Sequence, residues 1–327
     1  MFDNYLNPKL FDKDLEQVPS RNGFGEGLVL AGEENPNVVA LCADLTESTR
    51  IEAFKKKFPE RFIEIGVAEQ NLATVASGMA SVGKIPFISS YATFSPGRNW
   101  EQIRTTICYN NQPVKIIGSH AGISVGPDGA THQALEDLAI MRALPNMVVI
   151  CPADSIEARR ATLAIARTLN PSYLRLSREK SPVISTEHTP FEIGKALTLM
   201  DGNNVAIIAC GQMVYLSLLA AKKVSEHGIS VRVINMHTIK PLDKETVLKA
   251  ADECGALVTV EEHQIYGGLG SAVSEVVSQT FPVPMKIIGI QDSFGESGET
   301  NELLEKFGLS VDEIVKGITG VLRMKDQ

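Results

Sequence analysis

The sequence predicts two α/β domains, each built on a doubly wound, mostly parallel sheet. Short apolar runs typical of buried strands alternate with helical patterns along most of the 327 residues. The composition favours the same class, because only 6% of the residues are aromatic while Ala, Val, Ile and Gly are plentiful. The alternation breaks at 181–204, so we predict a linker with a small hairpin there and domains at 1–185 and 186–327.

Proline and glycine mark the ends of elements in the first domain. Residues 1–20 are polar and irregular and are expected to cover the surface. Asn35-Pro36 closes the first helix, and Gly83 closes the third, whose apolar residues recur at helical spacing. Strands are predicted at 38–44, 62–65, 85–91, 114–120, 147–151 and 173–177, and helices at 21–34, 51–58, 69–82, 100–111, 135–142 and 155–168.

The second domain repeats the alternation over a shorter length. Its apolar runs are again short, which is typical of strands that are buried on both faces. Strands are predicted at 205–210, 231–235, 256–261 and 285–290, and helices at 214–227, at 244–254 and after Gly270. This pattern predicts a smaller α/β unit behind the first.

Charge and cysteine usage exclude several classes of protein. The net charge of −8 argues against nucleic acid as a partner, because phosphate binding needs a basic face. The five cysteines are far apart and form no CxxC pair, which fits a reducing compartment better than a zinc site or a disulfide framework. No apolar run approaches the ~18 residues of a membrane span, and the N-terminus lacks a signal-peptide core, so we expect a cytoplasmic protein.

The functional interpretation depends most on Glu69. This acid follows the predicted strand at 62–65 and the turn at Gly66, and it falls in the first turn of a helix. A carboxylate there can simply complement the helix dipole. It can also be a buried acid whose proton takes part in catalysis. The stretch by itself leaves both interpretations open.

Polar side chains follow several predicted strands of the first domain. Because the carboxyl ends of parallel strands meet at one edge of a sheet, such residues converge on a single site. Imidazole and guanidinium groups in one cleft suit a phosphorylated substrate rich in hydroxyl groups. The candidates are Asp44, Ser48, Glu69, His120, Asp128, His132 and Arg178.

A glycine-rich loop at 120–132 carries three of these candidates. Its composition lets the backbone approach a ligand closely. Alternatively, His120, Asp128 and His132 can serve as metal ligands. The sequence contains no Gly-x-Ser-x-Gly elbow for a nucleophilic serine. Gly267-Gly-Leu-Gly270 lacks the spacing of a dinucleotide-binding turn, and we interpret it as close helix–sheet packing.

Taken together, these motifs resemble those of the transketolase family. Residues 64–178 are similar to its pyrimidine-binding domain through Gly66-Val-Ala-Glu-Gln70, Thr93-Phe94, Glu101-Gln-Ile-Arg104, Gly118-Ser-His-Ala-Gly122 and Gly126-Pro-Asp-Gly-Ala-Thr-His-Gln133, extended by Asp44-Leu-Thr46 and Leu176-Ser-Arg178. The second domain is similar to the transketolase C-terminal domain through Val260-Glu-Glu-His263, Tyr266-Gly-Gly-Leu-Gly270 and Asp292-Ser-Phe-Gly-Glu-Ser-Gly298. The resemblance covers nearly the whole chain.

The resemblance implies thiamine diphosphate as the cofactor. It places Glu69 as a catalytic acid at N1′ of the aminopyrimidine and Phe94 against the pyrimidine face, with Asp44 near the cofactor. The segment after Phe94 lacks the second aromatic residue of the family's common pattern. We expect Tyr91 or Trp100 to fill that wall of the cofactor site.

The resemblance also implies the reaction, which is transfer of a two-carbon ketol unit from a ketose phosphate to an aldose phosphate. Ser48, His120 and Arg178 match residues that contact the substrate phosphate. Asp128 and His132 match residues that contact sugar hydroxyl groups, and we also assign His132 a catalytic role.

One element of the family pattern is missing from the sequence. Full-length transketolases bind the diphosphate and a divalent cation through a Gly-Asp-Gly motif, which does not occur here. We therefore expect this chain to be the C-terminal subunit of a split transketolase, with no metal site of its own. An N-terminal partner subunit would carry Gly-Asp-Gly and hold a Mg or Ca ion. The resemblance implies a self-associating dimer within an α2β2 complex.

Three alternatives stay open. The β subunit of a 2-oxo acid dehydrogenase E1 component shares the cofactor and the two-domain build, but it transfers an acyl unit to lipoamide. A deoxyxylulose phosphate synthase is also related, although it typically has a different residue where His120 stands. A non-catalytic assembly subunit is the third possibility, and the presence of Glu69 and Phe94 argues against it.

Overall fold

The structure is a computed structural model that describes residues 5–327. The strands of the first domain are β1 (Gln17–Pro19), β2 (Val38–Cys42), β3 (Phe62–Glu64), β4 (Ile85–Tyr91), β5 (Lys115–Ser119), β6 (Val148–Ile150), β7 (Ser172–Arg175) and β8 (Lys180–Pro182). Six of them form a parallel sheet in the order β6-β7-β5-β4-β2-β3. The other two, β1 and β8, pair with each other in antiparallel orientation.

Helices cover both faces of the six parallel strands. They are α1 (Ser20–Glu34), α2 (Glu52–Lys57), α3 (Glu69–Ser81), α4 (Trp100–Gln102) continued by a π-helix (Ile103–Cys108), α5 (Asp137–Arg142) and α6 (Ser155–Ala166). Side chains alternate along each strand, so Ile88 and Ile116 pack in one apolar cluster with α3 and α5. Their neighbours Phe87 and Ile117 pack in another cluster with α1, α2 and α6. This alternation buries the sheet on both sides, as the short apolar runs predict.

The second domain has its own sheet. The strands of this domain are β9 (Leu197–Met200), β10 (Val205–Ala209), β11 (Val231–Asn235), β12 (Thr238–Lys240), β13 (Leu257–Gln264) and β14 (Met285–Ile290). The helices of this domain are α7 (Met213–Ser225), α8 (Lys244–Cys254), α9 (Leu269–Thr280), α10 (Thr300–Lys306) and α11 (Val311–Lys325). The sheet order is β14-β13-β10-β11-β9, with β9 antiparallel to β11. The doubly wound, mostly parallel α/β fold is thereby confirmed in both domains.

The two domains share one apolar core. A single cluster joins Leu41 and Ile88 of the first sheet to Ile208 and Val273 of the second domain. In addition, β12 leaves the second domain and pairs in antiparallel orientation with β6, at the edge of the first sheet. The second domain is therefore packed firmly against the first.

Several details of the predicted fold were wrong. The linker contains no hairpin within the described residues, because β8 pairs with β1 and β9 joins the second sheet. Short segments of this kind pair with whichever strand edge tertiary packing brings near. The sequence reading also omitted α10 and α11, although α11 buries one face. Of the N-terminal segment, residues 1–4 lie outside the described residues, whereas Leu6 and Leu10 are buried. The domain boundary at 185 stays a prediction.

Candidate active site

Glu69 is the first residue of α3 and is almost fully buried, with 5% of its surface exposed. The turn at Gly66 (φ +80°) lets the helix begin directly after β3. Arg98 Nη1 donates to Glu69 Oε1 at 3.1 Å, and Asn99 Nδ2 donates to the Glu69 carbonyl oxygen at 2.9 Å. Burial and these contacts distinguish Glu69 from a solvated first-turn acid.

A planar guanidinium lies between Glu69 and Phe94. Arg98 Cζ is 4.3 Å from the centroid of the Phe94 ring, while Nη1 reaches the Glu69 carboxylate. The Arg98 side chain is 53% exposed. It borders a cavity of about 720 Å³ that Val67 and Gln70 also line. The ring face and the carboxylate thus form a slot that accepts a flat group with an N–H donor.

Three further rings lie near Phe94 beside this slot. Tyr91 stacks on His120 with 3.8 Å between ring centroids, and its ring lies 6.0 Å from that of Phe94. His132 meets Phe94 edge-on at 5.4 Å. Trp100 lies elsewhere, since its indole N–H donates to a backbone carbonyl of α5 and its ring packs against the apolar core. Of the two candidates for the second wall, the structure brings only Tyr91 next to Phe94.

Arginine side chains surround His120. Arg21 Nη1 donates to His120 Nε2 at 3.3 Å and to the carbonyl oxygen of Ser48 at 2.7 Å. Burial, followed by the neighbouring Arg50 and Arg178, lowers the pKa of Arg21. Among the described residues, neither Arg21 nor Arg50 forms an ion pair with an acidic group. Such a cluster of cations attracts an anion.

His120 is neutral near neutral pH. Burial and the nearby arginines, Arg21 first among them, lower the pKa of His120 from 6.5 to about 3. Because Arg21 donates to Nε2, the ring hydrogen must sit on Nδ1, which pairs with Ser119 Oγ at 2.9 Å. His120 has a φ of +56°, a left-handed conformation that fixes its ring at the end of β5.

The neutral state of His120 predicts a loss of stability in acid. The folded chain binds no proton at this ring between the folded pKa of about 3 and the ordinary 6.5, whereas the unfolded chain does. Lowering the pH through that window therefore favours unfolding. Between pH 8 and pH 5, His120 should account for about 2 kcal/mol of lost unfolding free energy.

Urea unfolding at the two pH values measures this effect. The wild type should lose more stability than His120→Gln, and His188→Gln, which changes an exposed histidine, should behave as the wild type. Equal losses for the wild type and His120→Gln would contradict the assignment.

Asp128 and His132 lie on one segment, which includes a short 3₁₀ stretch at Ile123–Asp128. Arg178 Nη1 donates to the carbonyl oxygen of Val125 at 2.7 Å and lies 3.7 Å from Asp128 Oδ1. Arg178 therefore ties the segment to the chain that follows β7. Of the predicted strand-end residues, the structure brings His120, Asp128, His132 and Arg178 close together here.

Asp44 comes soon after β2. It is exposed and adopts a left-handed φ of +58°. Its backbone N–H donates to Glu64 Oε1 at 2.7 Å, and the Thr46 hydroxyl donates to the other carboxylate oxygen at 3.1 Å. Glu64, which the sequence analysis did not single out, thus shapes the loop that carries Asp44.

Within residues 5–327, no three His, Cys, Asp or Glu side chains are arranged to hold a metal ion. His120, Asp128 and His132 are thus not gathered into a group of this kind. In the same part of the chain, no helix combines the length and the apolar character needed to cross a bilayer.

Comparison with known proteins identifies the architecture around this site. Residues 16–183 match the transketolase pyrimidine-binding domain, and residues 194–314 match the transketolase C-terminal domain. The chain belongs to the transketolase family. It is 46% identical over 301 residues to a putative transketolase C-terminal section from Methanocaldococcus jannaschii, covering 91% of this chain and 94% of that protein. The resemblance inferred from the sequence is thereby confirmed.

Two further relatives are similar over nearly their whole length. A 6-deoxy-6-sulfo-D-fructose transketolase subunit from a Clostridium species is 40% identical, with 97% of this chain and 98% of that protein covered. A solved structure described as an inactive β4 tetramer of a split-gene transketolase has a TM-score of 0.89 and 45% identity, and the match covers 94% of this chain and 99% of that one.

The slot beside Glu69 fits the cofactor that the transketolase family uses, thiamine diphosphate. The Arg98 guanidinium shows the fit, because it is flat, rests on the Phe94 ring and donates an N–H to Glu69. An aminopyrimidine is equally flat, and its ring nitrogen N1′ presents an N–H donor of the same kind when it is protonated. The Glu69 carboxylate and the Phe94 ring thus offer an acceptor and a flat apolar face to a group of this shape.

Sequence reasoning missed three arginines near this site. Arg21 is the second residue of α1 and so does not follow a strand of the parallel sheet. Arg98 lies in the loop after β4, the loop that also carries Phe94. Arg50 does come soon after β2, and its unusual φ of +66° is visible only in the structure. The sequence offers one signal for Arg50, which is the run of polar residues at Thr46–Arg50.

Proposed function

We propose that this chain is the C-terminal subunit of a split transketolase that transfers a two-carbon ketol unit between sugar phosphates. The observation that carries the proposal is the pairing of buried Glu69 with the Phe94 face, at the edge of the sheet where Arg21 and His120 also lie. Thiamine diphosphate, when bound, supplies the carbanion chemistry that breaks and forms carbon–carbon bonds.

Each residue then has a defined task. Glu69 hydrogen-bonds N1′ of the aminopyrimidine and holds the proton there, and Phe94 and Tyr91 form the apolar wall beside it. Binding at this place requires Arg98 to leave, which its half-exposed side chain allows. Asp44 is assigned to the same end of the site. His132, edge-on to Phe94, lies where it can exchange a proton with a substrate hydroxyl.

The substrate class is supported by the cluster around His120. Arg21 and Arg178 lie beside the neutral imidazole of His120, and Arg21 also donates to the carbonyl oxygen of Ser48. The guanidinium N–H groups of the two arginines can donate to phosphate oxygens. Asp128, beside Arg178, is assigned to sugar hydroxyl groups. A dianionic phosphate suits several cations better than a monoanionic group does, so we favour sugar phosphates over sulfonated sugars.

A partner chain is part of the proposal. The sequence has no Gly-Asp-Gly motif, and its relatives include a transketolase C-terminal section and a split-gene transketolase. The cavity beside Glu69 is open, and Val67 at its mouth is 71% exposed. We assign the diphosphate and its Mg or Ca ion to an N-terminal subunit in an α2β2 complex. The cytoplasm is the proposed location, supported by five unpaired cysteines.

Product analysis tests the reaction type. The chain is combined with an N-terminal subunit carrying Gly-Asp-Gly, then supplied with a ketose phosphate and an aldose phosphate. We expect a new ketose phosphate two carbons longer than the acceptor. The same complex is also given a 2-oxo acid and lipoamide. Acyl-lipoamide formation without ketol transfer would favour a 2-oxo acid dehydrogenase and contradict the proposal.

A further inference from the structure

A buried carboxylate of the C-terminal domain contacts the candidate substrate segment. Glu262, on β13, is 4% exposed. Its Oε1 accepts the backbone N–H of Ser124 at 2.6 Å, and its Oε2 accepts Gln212 Nε2 at 2.6 Å. Bonds of this length are typical of charge-assisted hydrogen bonds. Glu262 thus bridges the two domains. Its Oε2 is held by Gln212 of its own C-terminal domain, and its Oε1 binds the Ser124 backbone of the first domain.

The backbone of the segment packs directly against Glu262 and its neighbours in the C-terminal domain. A Cβ built on Gly122 (φ +89°) would lie 2.3 Å from Glu262 Oε1, so the backbone there touches the carboxylate. A Cβ on Gly129 would likewise lie 2.5 Å from Ser297 Oγ. Glycine is therefore needed at both places where the segment passes over the C-terminal domain.

Two other bonds support the same segment. Thr300 Oγ1 donates to the carbonyl oxygen of Ser124 at 3.0 Å, so both backbone polar groups of Ser124 are bound by the C-terminal domain. Gln133 Nε2 donates to the carbonyl oxygen of Glu296 at 2.9 Å. Asp128 and His132 lie between Ser124 and Gln133. Because the C-terminal domain binds both of these residues, it influences where Asp128 and His132 lie.

We propose that Glu262 is a positioning residue, through which the C-terminal domain sets the segment at 121–133 and thereby the places of Asp128 and His132. The inference rests on the proposed function for the roles of those two residues. A buried carboxylate is costly to desolvate and adds little net stability, so a positional role accounts for it better than a stabilising one. The cofactor slot, built from Glu69 and Phe94 on other elements, should not depend on it.

The chain offers a matched control in Glu261, the preceding residue of β13. Glu261 is fully buried, and its carboxylate also accepts two N–H groups, from Leu269 and Gly270 at 2.7 Å each. Both donors belong to the C-terminal domain itself. Glu261→Leu therefore removes the same chemistry as Glu262→Leu without touching the segment.

Kinetics of the reconstituted complex provide the first readout. With Glu262→Leu we expect kcat/KM for sugar phosphates to fall about 10- to 100-fold, because small misplacements of reacting groups have effects of that size. The affinity for thiamine diphosphate should stay within about twofold of the wild type. Glu262→Gln should restore most of the activity, since its amide oxygen can still accept the Ser124 N–H. Glu261→Leu should leave kcat/KM within a few-fold of the wild type.

Hydrogen exchange of the full chain provides the second readout. Glu262→Leu should speed deuterium uptake in residues 121–133 but not in α3, and Thr300→Val should give a smaller increase in the same place. If Glu262→Leu fails to fold, Thr300→Val and Glu262→Gln are compared instead, again by deuterium uptake in residues 121–133 and by kcat/KM. If deuterium uptake in residues 121–133 and kcat/KM are the same in Glu262→Leu as in Glu261→Leu, the inference is overturned. A wild-type complex without ketol transfer would refute the proposed function, while the exchange comparison would still decide whether Glu262 holds the segment.

Discussion

Replacing Glu69 with glutamine is expected to lower kcat for ketol transfer by the reconstituted complex about a hundredfold or more. Glutamine keeps the size of the side chain but cannot exchange a proton with N1′ of the pyrimidine, and proton transfer by a positioned group contributes about 10²–10⁴-fold to enzyme rates. The change should be read from initial rates at saturating cofactor, so that weaker binding does not mask it.

A first-turn acid of another helix provides the control for Glu69. Glu245 occupies the first turn of α8 and is exposed. Glu245→Gln removes a helix-dipole interaction worth about 0.3–1 kcal/mol and should leave kcat unchanged. If Glu69→Gln also leaves turnover unchanged, this chain is not catalytic, and a role as an assembly subunit becomes the better account.

Replacing Arg21 with methionine should lower kcat/KM for phosphorylated ketoses about 10- to 100-fold. Arg21 is partly buried beside His120 and has no acidic partner among the described residues, so an anionic substrate group is its natural partner. A hydrogen bond to a charged group contributes about 1.5–3 kcal/mol, which corresponds to this range. For the same ketose without its phosphate, kcat/KM should change little.

Comparing the two ketoses separates phosphate binding from a general defect. Arg167→Met serves as the matched control, because Arg167 pairs with Glu34 on the exposed surface. It should alter neither substrate's kcat/KM. An equal loss on both ketoses in Arg21→Met would mean that Arg21 only supports Ser48 and His120, and the phosphate assignment would then be wrong.

The sequence predicted the fold well where a local pattern and tertiary packing agree. The parallel strands of the first sheet are short, apolar and bounded by turn residues, and each lies close to its predicted place. Prediction failed where an element's partner decides its structure. Thr238–Lys240 carries no signal that it crosses to the first domain, since its pairing with β6 depends on how the two domains dock.

In the candidate site, too, residues marked by a local pattern were predictable and residues placed by tertiary packing were not. His120 and Arg178 were predictable because each follows a strand of one parallel sheet. Arg21 could not be predicted in this way, since it reaches the site from the first turn of α1. Arg98 does follow β4, but only the structure shows that its side chain lies on Phe94 and reaches Glu69. Trp100 is a residue that the sequence placed at the site and the structure does not. Its aromatic ring made it a candidate for the cofactor wall, but its indole N–H donates to a backbone carbonyl of α5.

Glu69 and Phe94 are proposed to form half of an active site that another chain completes. The most direct test measures ketol transfer by the purified chain with thiamine diphosphate and Mg²⁺, alone and during titration with an N-terminal subunit that carries Gly-Asp-Gly. We expect no transfer by the chain alone, and activity that rises with added partner until the two subunits are equimolar. Full activity of the chain alone would contradict the account.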